Sequence, residues 1–188
     1  PGSKVIFDVK CTNHLPRMIK QWGGTPIMNA TGHSLIKNRM LEESAPFAGE
    51  MSGHIFFNDD WFGFDDGAYV GARALQILAA QSLSISDLCA SLPDSVNTPE
   101  LKLPMDESKK AGFMQRLLDD GDFGDAERIT IDGLRVNFGD GWGLVRPSNT
   151  SAYLVIRFEA DTKERLQIIQ ECFRRALLHI DSELELPF

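Results

Sequence analysis

Leu92-Pro93-Asp94-Ser95-Val96-Asn97-Thr98-Pro99 divides this chain into two differently patterned halves. Two prolines and four small polar residues interrupt all periodicity there, as in a linker. Upstream, strand-like and helix-like segments alternate. Residues 5–9 and 25–28 and the run Ile55-Phe56-Phe57 read as strands. Residues 15–22, stopped by Gly23-Gly24, and 34–43 read as helices. Asp65-Asp66 offers an N-cap to a helix over 67–80, whose small residues suit close packing on a sheet, and 85–92 forms a short last helix. Such alternation predicts an α/β domain over 1–92, a mixed sheet with flanking helices. Downstream the strands crowd together, at 100–103, 128–131, 134–138, 142–145 and 153–159, with a helix over 107–118. Asp132-Gly133 supplies the positive φ angles of a tight hairpin turn. A long final helix follows, with Asp161 as cap, Glu164 three residues on, and a stripe of Leu166, Ile169, Phe173, Leu177 and Ile180. This half, 100–188, is expected to be an α+β domain, an antiparallel sheet with helices packed on one face. Residues 93–99 are expected to be the hinge between the two.

The 188 residues suffice for one large domain or two small ones, each with its own core. A hydrophobic fraction of 43% with no bilayer-length apolar run excludes a membrane partner of the spanning kind. No signal-peptide core precedes Val5-Ile6-Phe7, so a cytoplasmic location is expected. A strand starting so near the terminus suggests excision from something longer. The net charge of −8 argues against nucleic acid, whose binding needs a basic surface, yet leaves room for a small phosphorylated ligand held by local cations. Cys11, Cys89 and Cys172 are odd in number, far apart and without a C-x-x-C spacing. Three buried or half-buried thiols, with neither disulfide nor zinc, are expected.

Two loops carry the chemistry. In Gly49-Glu50-Met51-Ser52-Gly53-His54, a carboxylate and a hydroxyl stand two residues apart between glycines that permit close backbone approach. Glu50 can accept from two adjacent sugar hydroxyls and Ser52 can add a donor, though a solvated connection between strands has the same composition. His54 can act as general acid or base, as histidines often do, or bond a neighbouring carbonyl. In Arg146-Pro147-Ser148-Asn149-Thr150-Ser151, a guanidinium matches a phosphate with two parallel hydrogen bonds while Ser148, Asn149 and Thr150 complete a cradle. Arg157, on the next strand, can aim a second cation at the same anion. A polar hairpin with a surface arginine is the alternative.

Lys10 and His33 each follow a predicted strand, where ligands of α/β sheets usually bind. Asp119-Asp120-Gly121-Asp122-Phe123-Gly124-Asp125 looks like a metal loop but lacks the closing glutamate of a calcium loop. No metal is expected to be held by this chain.

These residues resemble the C-terminal half of the bacterial phosphomannomutase/phosphoglucomutases, in the α-D-phosphohexomutase superfamily. The matching stretches are Ile6-Phe7-Asp8-Val9-Lys10-Cys11, Thr31-Gly32-His33-Ser34-Leu35-Ile36-Lys37, 49–54, Trp61-Phe62-Gly63-Phe64-Asp65-Asp66-Gly67 and 141–160. Met51 and Ser148-Asn149-Thr150-Ser151 differ from the residues usual in phosphoglucosamine mutases, which favours the mannose/glucose branch. The resemblance implies that Glu50 and Ser52 bind ring hydroxyls away from C2, so that mannose and glucose are both tolerated. It implies that Lys10, His33 and His54 line the active site, and that Arg146, Ser148, Asn149, Thr150 and Arg157 hold the non-reacting phosphate. Ligands would be mannose 1- or 6-phosphate and glucose 1- or 6-phosphate. The phosphoserine loop and the magnesium loop belong to domains 1 and 2 of such enzymes, and neither motif occurs here. Mg2+ and glucose 1,6-bisphosphate would therefore serve the parent enzyme, and this chain, resembling domains 3 and 4, would bind without turnover. A stand-alone phosphosugar-binding module and a phosphoglucosamine mutase fragment remain the alternatives.

Overall fold

Ile6 and Phe7 are both buried although they point to opposite sides of β1 (Lys4–Asp8), so this strand is covered on both faces. In the computed structural model, which describes residues 2–81 and 84–188, β1 is an inner strand of a four-stranded sheet. β2 (Thr25–Asn29) and β3 (Phe47–Gly49) flank it in parallel, and β4 (Ile55–Phe57) closes the edge antiparallel to β3. The sheet is therefore mixed, as expected. Helix α1 (His14–Gln21) brings Ile19 to Phe7 and Cys11 on one face. Helix α2 (His33–Glu43) brings Ile36 and Met40 to Ile6, Ala48 and Phe56 on the other. β3 has no counterpart in the sequence reading, because three residues are too few to display a period of two.

Helix α3 (Gly67–Gln81) is capped by Asp66, whose carboxylate accepts from the Ala68 and Tyr69 amides at 3.0 and 3.1 Å. Its expected packing on a sheet is confined to its first half, where Tyr69 meets the Phe57 ring of β4 edge-on at 5.3 Å and Arg73 lies over the same ring. None of its described residues is buried, and Leu75 and Ile77 are exposed. The physical reason is that α1 and α2 already occupy the faces of this sheet. Helix α4 (Ile85–Ser91) starts from a capping box between Ser84 and Asp87.

The chain divides between Asp94 and Ser95 into two units. In the second, every strand pairing is antiparallel, in the order β5 (Val96–Asn97), β10 (Tyr153–Ala160), β9 (Gly141–Pro147), β8 (Leu134–Asn137), β7 (Glu127–Ile129), with β6 (Leu101–Pro104) also on β10. Part of the expected linker is thus built into this sheet. Val96 and Asn97 pair with Ala160 and Glu159, and Thr98 accepts from the Phe158 amide through its hydroxyl at 3.1 Å. Proline-flanked short strands carry no periodic signal, which is why the segment reads as unstructured.

Helices α5 (Glu107–Asp120) and α6 (Lys163–Ile180) cover one face. The stripe expected on α6 is the one buried: Ile169, Phe173, Leu177 and Ile180 pack with Phe113 and Leu117 of α5 against Val145, Ile156 and Phe158. Gly143 is required here, since a Cβ would stand 2.4 Å from the Phe173 ring. The α6 cap is Thr162, whose hydroxyl accepts from the Arg165 amide at 3.2 Å, and not Asp161. The connection at 130–133 is longer than the expected two-residue turn, the innermost β7–β8 pair being Ile129 with Arg135. Gly133 adopts φ 79°, and a Cβ there would meet the Val145 carbonyl at 2.3 Å.

No described helix is long and apolar enough to cross a membrane. The cysteines are all free, but Cys89 is exposed, against the expectation of three buried or half-buried thiols. It lies on α4, which has no buried residue. Burial pushes the Cys172 thiol above its ordinary pKa. A disulfide reagent near neutral pH therefore modifies Cys89 first, with Cys172 lagging because less of it is thiolate and Cys11 protected by burial. Residue-resolved mass spectrometry checks this order, and faster labelling of Cys11 than Cys89 would refute it. Phe173→Ala is expected to cost about 3–5 kcal/mol in urea unfolding read from β9 and β10 amides. A loss under about 1 kcal/mol would remove Phe173 from the centre of this core.

Candidate functional site

Asp8 closes β1 with a fully buried carboxylate, and the surrounding loops are gathered by what that carboxylate accepts. One oxygen accepts from the Met51 amide at 3.3 Å and the Cys11 thiol at 3.1 Å; the other accepts from the Thr31 hydroxyl at 3.1 Å. The Lys10 ammonium lies 3.9 Å away, itself buried. The segments after β1, β2 and β3 are thereby tied to one anion at the carboxyl end of the parallel strands, the usual ligand position of such sheets.

Glu50 follows β3 directly and is 8% exposed. Its Oε1 accepts from the Gly32 amide at 3.2 Å, at the start of α2, and its Oε2 accepts from the Ser52 hydroxyl at 3.1 Å. The turn is closed by the Glu50 amide on the His54 carbonyl and by the Gly53 amide on the Glu50 carbonyl, with Gly53 at φ 90°. Glu50 and Ser52, two apart in sequence, thus form one coupled acceptor–donor pair, and each carboxylate oxygen retains acceptor capacity for a further hydroxyl. His33 is the first residue of α2, and its ring centroid is 6.4 Å from that of His54. The His54 Nδ1 lies 2.7 Å from Asp65, which orients the imidazole and leaves Nε2 as its outward nitrogen. In the Asp65-Asp66 pair only Asp66 caps α3, which leaves Asp65 to face His54, a partnership that the pair's capping pattern does not announce. The usable signal was that one cap needs only one carboxylate.

The second cluster lies in the other unit, at the β9–β10 hairpin. Arg146 is 6% exposed, and its Nε donates to Asp132 at 2.9 Å. That bond fixes the plane of the guanidinium, while its two terminal nitrogens have no hydrogen-bond partner among the described residues. Ser148 is buried and its hydroxyl accepts from the Thr150 amide at 3.4 Å; Asn149 and Thr150 are exposed at the tip. Val155 pairs with Arg146 and Leu144 with Arg157, so both arginines stand on one sheet face in diagonal register. Diagonal neighbours are about 7–8 Å apart, within reach of one anion for side chains this long. The Arg157 Nε is buried with no acceptor, and such a donor calls for a partner supplied from elsewhere. Its place before Gly133 marks Asp132 only as a turn residue. The structure gives it a second task, aiming Arg146.

The five residues expected on the first loops and strand ends therefore lie in one unit and the five expected on the hairpin in the other. The acidic run at 119–125 ends α5, and Asp122 accepts from the Gly124 amide at 3.0 Å, as a turn residue does. Among the described residues no three His, Cys, Asp or Glu side chains converge into a metal-holding group.

Comparison with known proteins accords with this organisation. Residues 1–96 match the family model described as phosphoglucomutase/phosphomannomutase, alpha/beta/alpha domain III, and residues 100–176 match that of the C-terminal domain of the same family. The chain is 48% identical over its whole length to a phosphomannomutase/phosphoglucomutase of Pseudomonas putida, covering 41% of that protein. It is 50% identical over 179 residues to a phosphoglucomutase of Neisseria gonorrhoeae, covering 94% of this chain and 39% of that one. A crystal structure of a phosphoglucomutase/phosphomannomutase family protein from Burkholderia thailandensis superimposes with a TM-score of 0.93 at 49% identity, over 100% of this chain and 40% of the other. The chain spans about two fifths of the length of these relatives. With two consecutive domain models matched over most of its residues, the chain belongs to the phosphoglucomutase/phosphomannomutase family.

Proposed function

We propose that this chain is the sugar- and phosphate-binding half of a phosphohexomutase that interconverts the 6- and 1-phosphates of mannose and glucose. The observation that carries the reading is Arg146. Its guanidinium is buried and held in plane by Asp132, its terminal nitrogens are unpartnered among the described residues, and three hydroxyl- or amide-bearing residues follow within four positions. A planar fork held this way suits a dianionic phosphate and costs little reorganisation on binding. Arg157, with its orphan Nε, supplies the second cation.

In this reading Glu50 and Ser52 hold two ring hydroxyls, and the carboxylate is already oriented by the Gly32 amide before sugar arrives. His54, steered by Asp65, and His33 stand beside the sugar, where His54 Nε2 can accept or return the proton of a reacting hydroxyl. Lys10 adds positive charge against the transferring group. Phosphoryl transfer depends on in-line positioning and charge neutralisation, which these residues serve. In this reading the nucleophilic phosphoserine and the magnesium loop belong to domains 1 and 2, and glucose 1,6-bisphosphate serves the parent enzyme as a whole. This chain accordingly binds hexose phosphates and does not turn them over. The segment around Pro93 and Asp94, ahead of β5, is the hinge in this reading.

Amide-shift titration of the isotope-labelled chain with mannose 1-phosphate and glucose 1-phosphate tests it. Shifts are expected at both 49–54 and 146–151, with inorganic phosphate moving only the second set. Shifts confined to 146–151 and reproduced by phosphate alone would remove the sugar assignment. Arg146→Lys keeps the charge but loses the planar fork, and affinity is expected to fall about tenfold; unchanged affinity would dismiss the bidentate reading. Incubated with glucose 1-phosphate and glucose 1,6-bisphosphate, the chain should release no glucose 6-phosphate. Steady product formation would sink the half-enzyme reading.

A further inference from the structure

Lys110 occupies a core position. Together with Phe113, Met114 and Leu117 it makes the buried stripe of α5, and it is 3% exposed. A lysine there is costly, because taking an ammonium out of water carries a penalty of several kcal/mol unless it is fully paired. The ammonium is fully paired. It donates to the Ser148 carbonyl at 2.7 Å and the Ser151 carbonyl at 3.0 Å, and lies 2.7 Å from the Glu107 carboxylate. A lysine has three N–H donors, so these partners use all of them. None is left for a ligand.

Ser148 and Ser151 bracket the tip of the hairpin that the function proposed above makes a phosphate cradle, and the inference rests on that reading. A trans peptide is planar, so its C=O and N–H point in opposite directions. With the carbonyls of 148 and 151 drawn in toward Lys110, the amides of Asn149 and Ala152 are turned outward. Neither finds an acceptor among the described residues. Outward-facing backbone amides without an acceptor are donors available to an anion. We propose that Lys110 is a positioning residue of the phosphate site, one that never touches the ligand but holds the loop backbone in its anion-receiving form from behind. A buried cation behind the loop also lends its field to the same anion without competing for it. Packing alone would be served better by a leucine at this point of the stripe, so the charge requires an account beyond the core.

The test uses Lys110→Met, which keeps the length and apolar stem, and Lys110→Arg, which keeps the charge and donors. Inorganic phosphate is the probe and amide shifts are the readout, with the temperature held well below both variants' unfolding midpoints. Lys110→Met is expected to weaken phosphate binding about tenfold, as the loss of charge-assisted hydrogen bonds warrants. Its 149 and 152 amides should move toward solvent-averaged positions while the β9 and β10 amides stay in place, and Lys110→Arg should recover part of the affinity. Affinity within a factor of about two of the parent, less than one charge-assisted bond would give, overturns the inference. Should the methionine variant not fold, the Lys110 Nζ resonance of the parent decides. A slowly exchanging ammonium signal that phosphate leaves unmoved supports a positioning role. A rapidly exchanging signal, or one that shifts as a direct contact would, overturns it. Failure of phosphate to shift 146–151 in the parent chain would reject the cradle itself and the inference with it, whereas normal binding by Lys110→Met rejects the inference alone.

Discussion

Burying a charge obliges the fold to bring a partner to it, and that obligation organises both clusters. Asp8 is the clearest case. A carboxylate with no exposed surface must fill its acceptor sites from the protein, and it does so with groups from the segments following β1, β2 and β3. Without that anion the three segments would share a sheet edge but no common anchor. Glu50, Asp132 and Lys110 follow the same rule at smaller scale. In each instance a buried or half-buried charge fixes a neighbour's orientation: the start of α2, the plane of Arg146, the carbonyls of the hairpin tip.

Such charges are expensive relative to apolar residues of like volume. Their value lies in rigidity at the place where a ligand's own charge must be met. A loose arginine loses side-chain entropy when it clamps an anion, whereas Arg146 has already lost it to Asp132. Arg157 Nε, one of several buried donors without an acceptor among the described residues, carries an unmet desolvation cost, which is tolerable where a ligand supplies the acceptor. The apolar cores underneath are conventional by comparison. Phe173 fills the space above Gly143 in one unit, and Ile36 and Met40 cover Ile6 in the other.

Much of the architecture was legible in the chain. Alternating strand and helix patterns gave the mixed sheet of the first half, and the crowding of strands between two helices gave the antiparallel sheet of the second. The α6 stripe was readable because eighteen residues display several turns of one period. The errors sit where segments are short or locally degenerate. β3 and β5 are too brief to show alternation, and Asp161 and Thr162 are both good caps, so only the backbone chooses between them. The exposure of α3 was not readable either, since small residues permit packing without compelling it.

The site shows the same division. Residue type and spacing are local properties, so the chain alone fixes the chemical inventory, with Glu50 and Ser52 framed by glycines and Arg146 ahead of Ser148, Asn149 and Thr150. The partners emerge with the folded chain. Asp65 turns to His54, Asp132 to Arg146, and Lys110 to carbonyls 38 and 41 residues away. The physical reason is that periodicity specifies which face of an element a side chain leaves from. What waits across that face depends on how separate elements come together, and no local pattern records that.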